Sequence, residues 1–150
     1  MSKKHLALLS RFLQTAVSNP NCSKLQNVIK IQKMKHHINI EGIKLYAYHG
    51  CLEEEGKIGC EYIVDVYMQT NFEEAAIKDD LNLTIDYCTI FDICKKEMAI
   101  RSKLIEHVGK RIYDHIKITF PQLLATKVKV TKLLPPMNGP VEKVSIIIED

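Results

Sequence analysis

From residue 37 onward, hydrophobic and polar positions repeat with a period that changes along the chain. The first alternating segment has its apolar positions at Ile38, Ile40, Ile43, Leu45 and Ala47, with a bulge or bend expected at Gly42. The second has them at Tyr62, Val64, Val66 and Met68. A period of two predicts two strands, each with one buried face. The connection between them, residues 50–59, is long for a hairpin, and loops of this length are often functional.

Two segments with a helical period follow. In the first, Thr89 and Asp92 form a candidate capping pair, and the apolar positions are Phe91, Cys94 and Met98. The second opens after Ser102 and stops before Pro121, and its apolar stripe contains Leu104, Val108, Ile112 and Ile116.

Two more strands close the chain, one around Val128 and Val130 and one over residues 144–148. The turn cluster between them contains Pro135, Pro136, Gly139 and Pro140. The order is therefore ββααββ. The simplest way to bury these stripes is an α+β fold, in which a four-stranded antiparallel sheet carries both helices on one face.

Length and charge narrow the class of protein. A chain of 150 residues with 46% hydrophobic composition is long enough for one core and too short for two ordinary domains. Seven of its 21 Lys and Arg residues lie in residues 1–40, which contain no Asp or Glu, so the remainder is mildly acidic. We therefore expect no nucleic-acid partner. No apolar run approaches the roughly 20 residues that cross a bilayer, so we expect no membrane span.

Residues 1–36 differ in composition from the domain predicted at 37–150. They are basic and contain serine, and Pro20 ends any helix that their leucines could form. We expect a disordered or artefactual leader and a cytoplasmic protein. Met34 as the true start and an organelle transit peptide are the alternatives. The five cysteines form no C-x-x-C pair, which favours free thiols in a reducing compartment.

Lys132 and Glu106 are candidates for chemistry. Lys132 shares strand parity with Val128 and Val130, so it lies on the apolar side of its strand. Either its stem covers apolar surface while the amine reaches water, or the amine is buried and acts as a base or a positioned cation. Glu106, off the apolar stripe of the second helix, is either a helix-dipole glutamate or a carboxylate that binds a heterocycle with adjacent N–H and NH₂ donors.

The remaining candidates are weaker on their own. Among the three glutamates at 53–55 we expect at most one functional residue, because acidic loop runs are usually solvated. Tyr87, at a predicted strand-to-helix junction, would by itself be a core residue with a bonded hydroxyl. A zinc site from His49, Cys51 and Cys60, or from His36 and His37, lacks the paired spacing of zinc motifs.

Residues 38–148 resemble the dihydroneopterin aldolases, folate-pathway enzymes of the tunnelling (T) fold. The resemblance depends on six motifs in register: I-x-G-I-x-L-Y-A-Y-H-G at 40–50, a loose E-x-G-x-I-G at 55–59, V-D-V at 64–66, D-D-L-x-x-T-I-D-Y at 79–87, L-I-E-H-V at 104–108 and V-x-V-x-K-x-x-P-P at 128–136.

The resemblance implies a role for individual residues. It makes Lys132, Tyr87 and Glu55 catalytic, with Lys132 and Tyr87 handling protons and Glu55 ordering the substrate hydroxyls or a water. Glu106 would anchor the amino-pyrimidinone edge of a pterin. The other substrate-binding residues would be Ile105 and Ile85 beside the ring, Asp86, and the loop residues Cys51 and Leu52. Relatives often carry another polar residue at the position of Asp86, and the stretch at 99–103 varies in the family, so both leave the preference for the substrate side chain open.

The implied reaction is retro-aldol cleavage of 7,8-dihydroneopterin without a cofactor or a metal, with C2′ epimerisation from the same intermediate. The alternatives are a dihydroneopterin triphosphate epimerase and a non-catalytic pterin-binding or scaffold protein. The resemblance also implies a ring or barrel oligomer, a homo-octamer or homotetramer with sites at subunit contacts, which would protect the open edges of the sheet.

Overall fold

The structure, a computed structural model, describes residues 35–150. Its elements are β1 His36–Ala47, α1 Glu53–Ile58, β2 Cys60–Thr70, α2 Glu73–Lys78, α3 Tyr87–Ala99, α4 Ile105–Thr119, β3 Ala125–Leu133 and β4 Lys143–Glu149, with a 3₁₀ turn Leu81–Leu83 before α3. The predicted leader lies outside the described residues except for its last two positions, and His36 already belongs to β1.

The four strands form one antiparallel sheet, as predicted, and their order in it is β1-β2-β3-β4. The expected irregularity at Gly42 is present as a register shift between Ile40 and Ile43. Gly42 has φ 75°, and its N–H donates to Asp65 Oδ1 at 2.8 Å. Glycine adopts this backbone conformation without steric cost, so β1 bends here without leaving a donor unpaired.

One face of the sheet carries the core. The apolar positions predicted on β2 and β3 are fully buried: Tyr62, Val64, Val66, Met68, Val128 and Val130. They form one cluster with Ile90, Ile93, Cys94 and Met98 of α3 and with Val108, Ile112 and Ile116 of α4. Burying each large apolar side chain stabilises the fold by about 1.5–3 kcal/mol, so this cluster fixes both helices on the sheet.

The predicted helix starts need correction. Asp86, and not the pair Thr89 and Asp92, caps α3, because its carboxylate accepts from the N–H groups of Cys88 and Thr89 at 2.9 and 3.2 Å. The second predicted helix, α4, begins at Ile105. Phe91 and Leu104, both assigned to apolar stripes, are exposed.

Two short helices were not predicted. Residues 50–59, expected to be a loop, contain α1, and α2 follows β2. Each has only six residues, which is too short to display a helical period.

Within residues 35–150 no helix is long and apolar enough to span a bilayer. Cys51, Cys60, Cys88 and Cys94 are free thiols, whereas Cys22 lies outside the described residues.

Candidate active site

A cavity of about 210 Å³ lies where α1 faces the end of β3. Its lining residues are Leu52, Glu54, Glu55, Ile58, Gly59, Cys60, Lys132, Leu134 and Pro136. Three of the predicted site residues, Lys132, Glu55 and Leu52, are thus brought together. A larger cavity of about 320 Å³ around Lys44 and Glu61 contains none of them, so we assign the site to the smaller one.

Lys132 is buried, with only 7% of its surface exposed. The interpretation in which its amine reaches water is therefore wrong. Its Nζ donates to the carboxylate of Glu55 and, at 3.1 Å, to the carbonyl oxygen of His49. It also lies 5.9 Å from the ring centroid of Tyr62, within the range of a cation–π contact. An ammonium has three N–H donors, so these two acceptors leave one donor for a ligand.

Glu55 is held by the helix turn on which it lies. It is the third residue of α1, and its Oε2 accepts from the N–H of Leu52, which precedes the helix, at 3.0 Å. A glutamate at this position commonly reaches back in this way. Burial alone would raise the pKa of Glu55, but the hydrogen bonds from Lys132 and Leu52 lower it overall. The site therefore holds a carboxylate paired with a cation.

Gly50 makes room for this carboxylate. It has φ 151°, and a Cβ atom added to it would lie 2.1–2.6 Å from the carboxyl atoms of Glu55. The backbone can approach Glu55 so closely only because residue 50 has no side chain.

Gly50→Ala is expected to lower the kcat of the reaction carried out at this site about 10- to 100-fold, because the added methyl group displaces the Glu55 carboxylate from Lys132. Gly139→Ala is the matched control, since a Cβ at Gly139 meets no atom within 4 Å. Steady-state kinetics on the two variants checks this. Equal kcat values in Gly50→Ala and Gly139→Ala would contradict the role assigned to residue 50.

His49 contributes its backbone to the site and its ring to the core. Its carbonyl accepts from Lys132 and, at 2.9 Å, from the hydroxyl of Tyr62. The imidazole is 1% exposed, and burial lowers its pKa to about 4, with the charges of Arg111 and Lys132 acting in the same direction. The ring is therefore neutral near pH 7.

The depressed pKa of His49 makes the fold acid-sensitive. Between pH 6.5 and 4 the unfolded chain binds a proton there that the folded chain does not, so stability falls as the pH falls through this window. The loss reaches about 3 kcal/mol. Urea unfolding at pH 7 and pH 4, at one protein concentration, should show a smaller difference for His49→Asn than for the unsubstituted chain. An equal difference in both proteins would contradict the neutral buried ring.

The loop that follows β1 is tied to the segment before α4. Cys51 Sγ donates to the carbonyl of Lys103 at 3.5 Å, and Arg101 donates to the carbonyls of Tyr48 and Leu52 at 3.2 and 3.4 Å. The predicted ligand-binding loop is thus fixed beside the start of the helix that carries Glu106.

Glu106, Ile105 and Ile85 do not line the Lys132 cavity. Glu106 is exposed in the first turn of α4, Ile105 is half-buried against the core, and Ile85 is buried within it. Their predicted contacts with a bound ring stay predictions.

Asp86 and Tyr87 lie at the start of α3. The hydrogen bond from the Thr89 hydroxyl, with that from the Cys88 N–H, lowers the pKa of Asp86, whose carboxylate is engaged as the helix cap. Tyr87 is the first residue of the helix and is 60% exposed, so the core role considered for it is wrong. Tyr87 is not among the described residues that line the Lys132 cavity.

The comparisons with known proteins decide the family. The family model described as dihydroneopterin aldolase matches residues 38–149. The chain belongs to the dihydroneopterin aldolase family. The aldolase of Staphylococcus epidermidis strain RP62A is 34% identical over 116 residues, which cover 77% of this chain and 96% of that protein. The aldolase of Bacillus subtilis strain 168 is 33% identical over 112 residues, which cover 74% of this chain and 93% of that protein.

Solved aldolase structures have the same fold. A dihydroneopterin aldolase from E. coli, solved in complex with neopterin, superposes with a TM-score of 0.70 at 21% identity and covers 77% of this chain and 98% of its own. A dihydroneopterin aldolase from a Burkholderia species, bound to guanine, has a TM-score of 0.61 at 14% identity. The match covers 82% of this chain and 96% of that one. The T-fold predicted for this chain is therefore confirmed.

In this member of the aldolase family, several residues that shape the site were not predicted to do so. His49 was considered only as a metal ligand. It continues the alternation of Ile43, Leu45 and Ala47, whose side chains face the core, and that alternation is the signal that could have identified His49 as a buried residue. Gly50 and Arg101 gave no comparable signal. Among the described residues, no group of three or more His, Cys, Asp or Glu side chains is placed to hold a metal ion.

Proposed function

We propose that this chain cleaves 7,8-dihydroneopterin into 6-hydroxymethyl-7,8-dihydropterin and glycolaldehyde, a step of folate biosynthesis. The observation that carries the proposal is the buried pair of Lys132 and Glu55 in a cavity of a chain that belongs to the dihydroneopterin aldolase family.

The pterin ring itself supplies the electron sink. As the 2′-hydroxyl loses its proton, C2′ becomes the aldehyde carbon and the C1′–C2′ bond breaks. Its electron pair forms a C1′=C6 double bond, and the C6=N5 π electrons move to N5, which takes up a proton. Protonation of C1′ and loss of the N5 proton then complete the product. Because the ring imine accepts the electrons, the protein needs only to move protons and stabilise charge.

Lys132 is suited to the charge that develops at N5. Its ammonium is fixed by Glu55 and by the His49 carbonyl, and its third donor is available to the ring nitrogen. A cation held in a site shielded from water stabilises a developing negative charge far better than one in solvent. Return of the proton from N5 to C1′ requires a second group, and Tyr87 is our candidate.

The direct test is an assay of the purified chain with 7,8-dihydroneopterin, run with a chelator present. We expect stoichiometric release of glycolaldehyde and 6-hydroxymethyl-7,8-dihydropterin, with slower appearance of the C2′ epimer. Folded protein that releases no glycolaldehyde would overturn the proposal.

The triphosphate epimerase is not favoured. A triphosphate chain needs basic residues at the side-chain end of the site, whereas Glu54 and Glu55 line this cavity. Turnover of dihydroneopterin and its triphosphate should be measured side by side, and exclusive use of the triphosphate would support the epimerase.

We also propose a ring-shaped homo-oligomer, a tetramer or an octamer, in which Tyr87 of one protomer completes the site of the next. The support is that Tyr87 is not among the described residues that line the Lys132 cavity and that it is 60% exposed. Within residues 35–150, the outer strands β1 and β4 each have one edge without a partner strand, and a closed ring pairs such edges.

Mixing two inactive variants tests this arrangement. Lys132→Ala and Tyr87→Phe, unfolded together in equal amounts and refolded, should regain about a quarter of the activity of the unsubstituted chain, because that share of sites combines both intact residues. The separately refolded variants are the control. A mixture no more active than its components would contradict a shared site.

A further inference from the structure

Arg111 on α4 organises the end of α3. Its guanidinium donates to the carboxylate and the carbonyl of Glu97 at 3.0 and 2.7 Å and to the carbonyl of Ile100 at 2.9 Å. It also donates to the hydroxyl of Ser102 at 2.6 Å. The guanidinium is planar and rigid, so four bonds of this kind fix the segment between the two helices.

Ser102 passes this constraint to the end of β1. Its backbone N–H donates to Nδ1 of His49 at 3.1 Å, and its carbonyl accepts from the N–H of Gly50 at 3.0 Å. Ser102 and His49 are both buried, at 6% and 1% exposure. The position of the His49 backbone is therefore set by two hydrogen bonds to the α3–α4 connection.

The next link is the amine of the proposed active site. The carbonyl of His49 accepts from Lys132 Nζ and from the hydroxyl of Tyr62. Of the two acceptors that hold Lys132, Glu55 lies on a short helix with no buried residue, whereas His49 lies in the core. The His49 carbonyl is therefore the more rigidly held of the two acceptors, and it does more to fix the direction of the Lys132 amine.

Packing alone does not explain a histidine here. Because Nδ1 accepts a hydrogen bond from Ser102, the proton of the neutral ring is on Nε2. Met98 contributes a nearby carbonyl, but no acceptor within residues 35–150 lies in hydrogen-bonding geometry with Nε2. A buried donor without a partner destabilises a fold, so leucine would suit the core better if filling space were the only requirement.

We propose that His49 is a positioning residue, whose ring is held by Ser102 so that its carbonyl directs the Lys132 ammonium at the substrate. The inference rests on the proposed aldolase function. His49 itself exchanges no proton with the substrate, since its ring faces Ser102 and its carbonyl carries the contact with Lys132.

The test compares two amide substitutions that differ in where they place an acceptor. The Asn oxygen takes the place of Nδ1, whereas the Gln oxygen extends to the place of Nε2. We expect His49→Gln to lower kcat about 10- to 100-fold while its KM stays within about threefold of that of the unsubstituted chain. For His49→Asn we expect both kcat and KM to stay within about threefold of the unsubstituted chain. Should His49→Gln not fold, His49→Leu replaces it in the comparison.

A core substitution far from the site controls for loss of stability. Met68 is buried six residues along β2 from Tyr62, opposite Ile38 and Thr126. Met68→Ala should lower thermal stability and leave kcat within about twofold. The proposal is overturned if His49→Gln keeps the original kcat, if Gln and Asn behave alike, or if Met68→Ala loses kcat to the same extent. If the unsubstituted chain releases no glycolaldehyde in this assay, the aldolase proposal fails, which is a separate result.

Discussion

Replacing Lys132 with alanine is expected to slow glycolaldehyde release about a thousandfold while the chain still binds pterin. A positioned group that transfers or holds a proton contributes 10²- to 10⁴-fold to a rate. Among residues 35–150, Lys132 supplies the one lysine amine that lines the cavity, and two acceptors fix its direction. Single-turnover kinetics with 7,8-dihydroneopterin, together with a pterin binding isotherm, checks both parts of the prediction.

Two further variants separate chemistry from folding. Removing the amine leaves the Glu55 carboxylate, 14% exposed, without its cation, and such a charge is destabilising. Lys132→Met combined with Glu55→Gln removes both charges, so this double variant should be more stable than Lys132→Ala and equally inactive. Lys127→Ala removes a half-exposed lysine that pairs with Glu149 and should keep its activity within about twofold. Unchanged turnover in Lys132→Ala would exclude the amine from the reaction.

The sheet could be predicted because its burial pattern is simple. Tyr62, Val64, Val66 and Met68 alternate with polar or less buried positions, since one face of β2 packs against the helices. The start of α3 was harder to predict. Asp86 and Thr89 are both good N-terminal capping residues, and they are three positions apart. Which of them caps the start of α3 depends on the path of the chain before the helix. In the structure, the Thr89 hydroxyl donates to Asp86.

The site could be predicted only in part. Strand parity places Lys132 on the core side, but its partner Glu55 is 77 residues away, and the choice among three adjacent glutamates depends on the α1 turn. The motifs shared with the aldolase family supplied that choice, and the structure brings the two side chains into contact. Strand parity places the His49 ring on the core side, but it does not indicate that the ring accepts from the Ser102 N–H while the His49 carbonyl accepts from Lys132, because each of these contacts involves a backbone atom.

The second large effect is expected at Glu106. Glu106→Ala should weaken pterin binding about a thousandfold, because the carboxylate would accept two parallel hydrogen bonds from the N–H and NH₂ groups of the ring. Hydrogen bonds to a charged group contribute about 1.5–3 kcal/mol each, and about 4 kcal/mol corresponds to three orders of magnitude in Kd. Titration of the purified chain with neopterin, followed by fluorescence, measures this directly.

Controls on the same helix show whether the effect is specific to the ring. Glu106→Gln should bind nearly as weakly as Glu106→Ala, since its NH₂ group meets the donors of the ring. Asp114→Asn removes an exposed carboxylate that pairs with Lys110 on α4 and should leave Kd unchanged. Unaltered binding in Glu106→Ala would mean that α4 does not hold the pterin. The loss we expect would place the ring beside the start of α4, where Cys51 is bonded to Lys103 and the binding loop is already fixed.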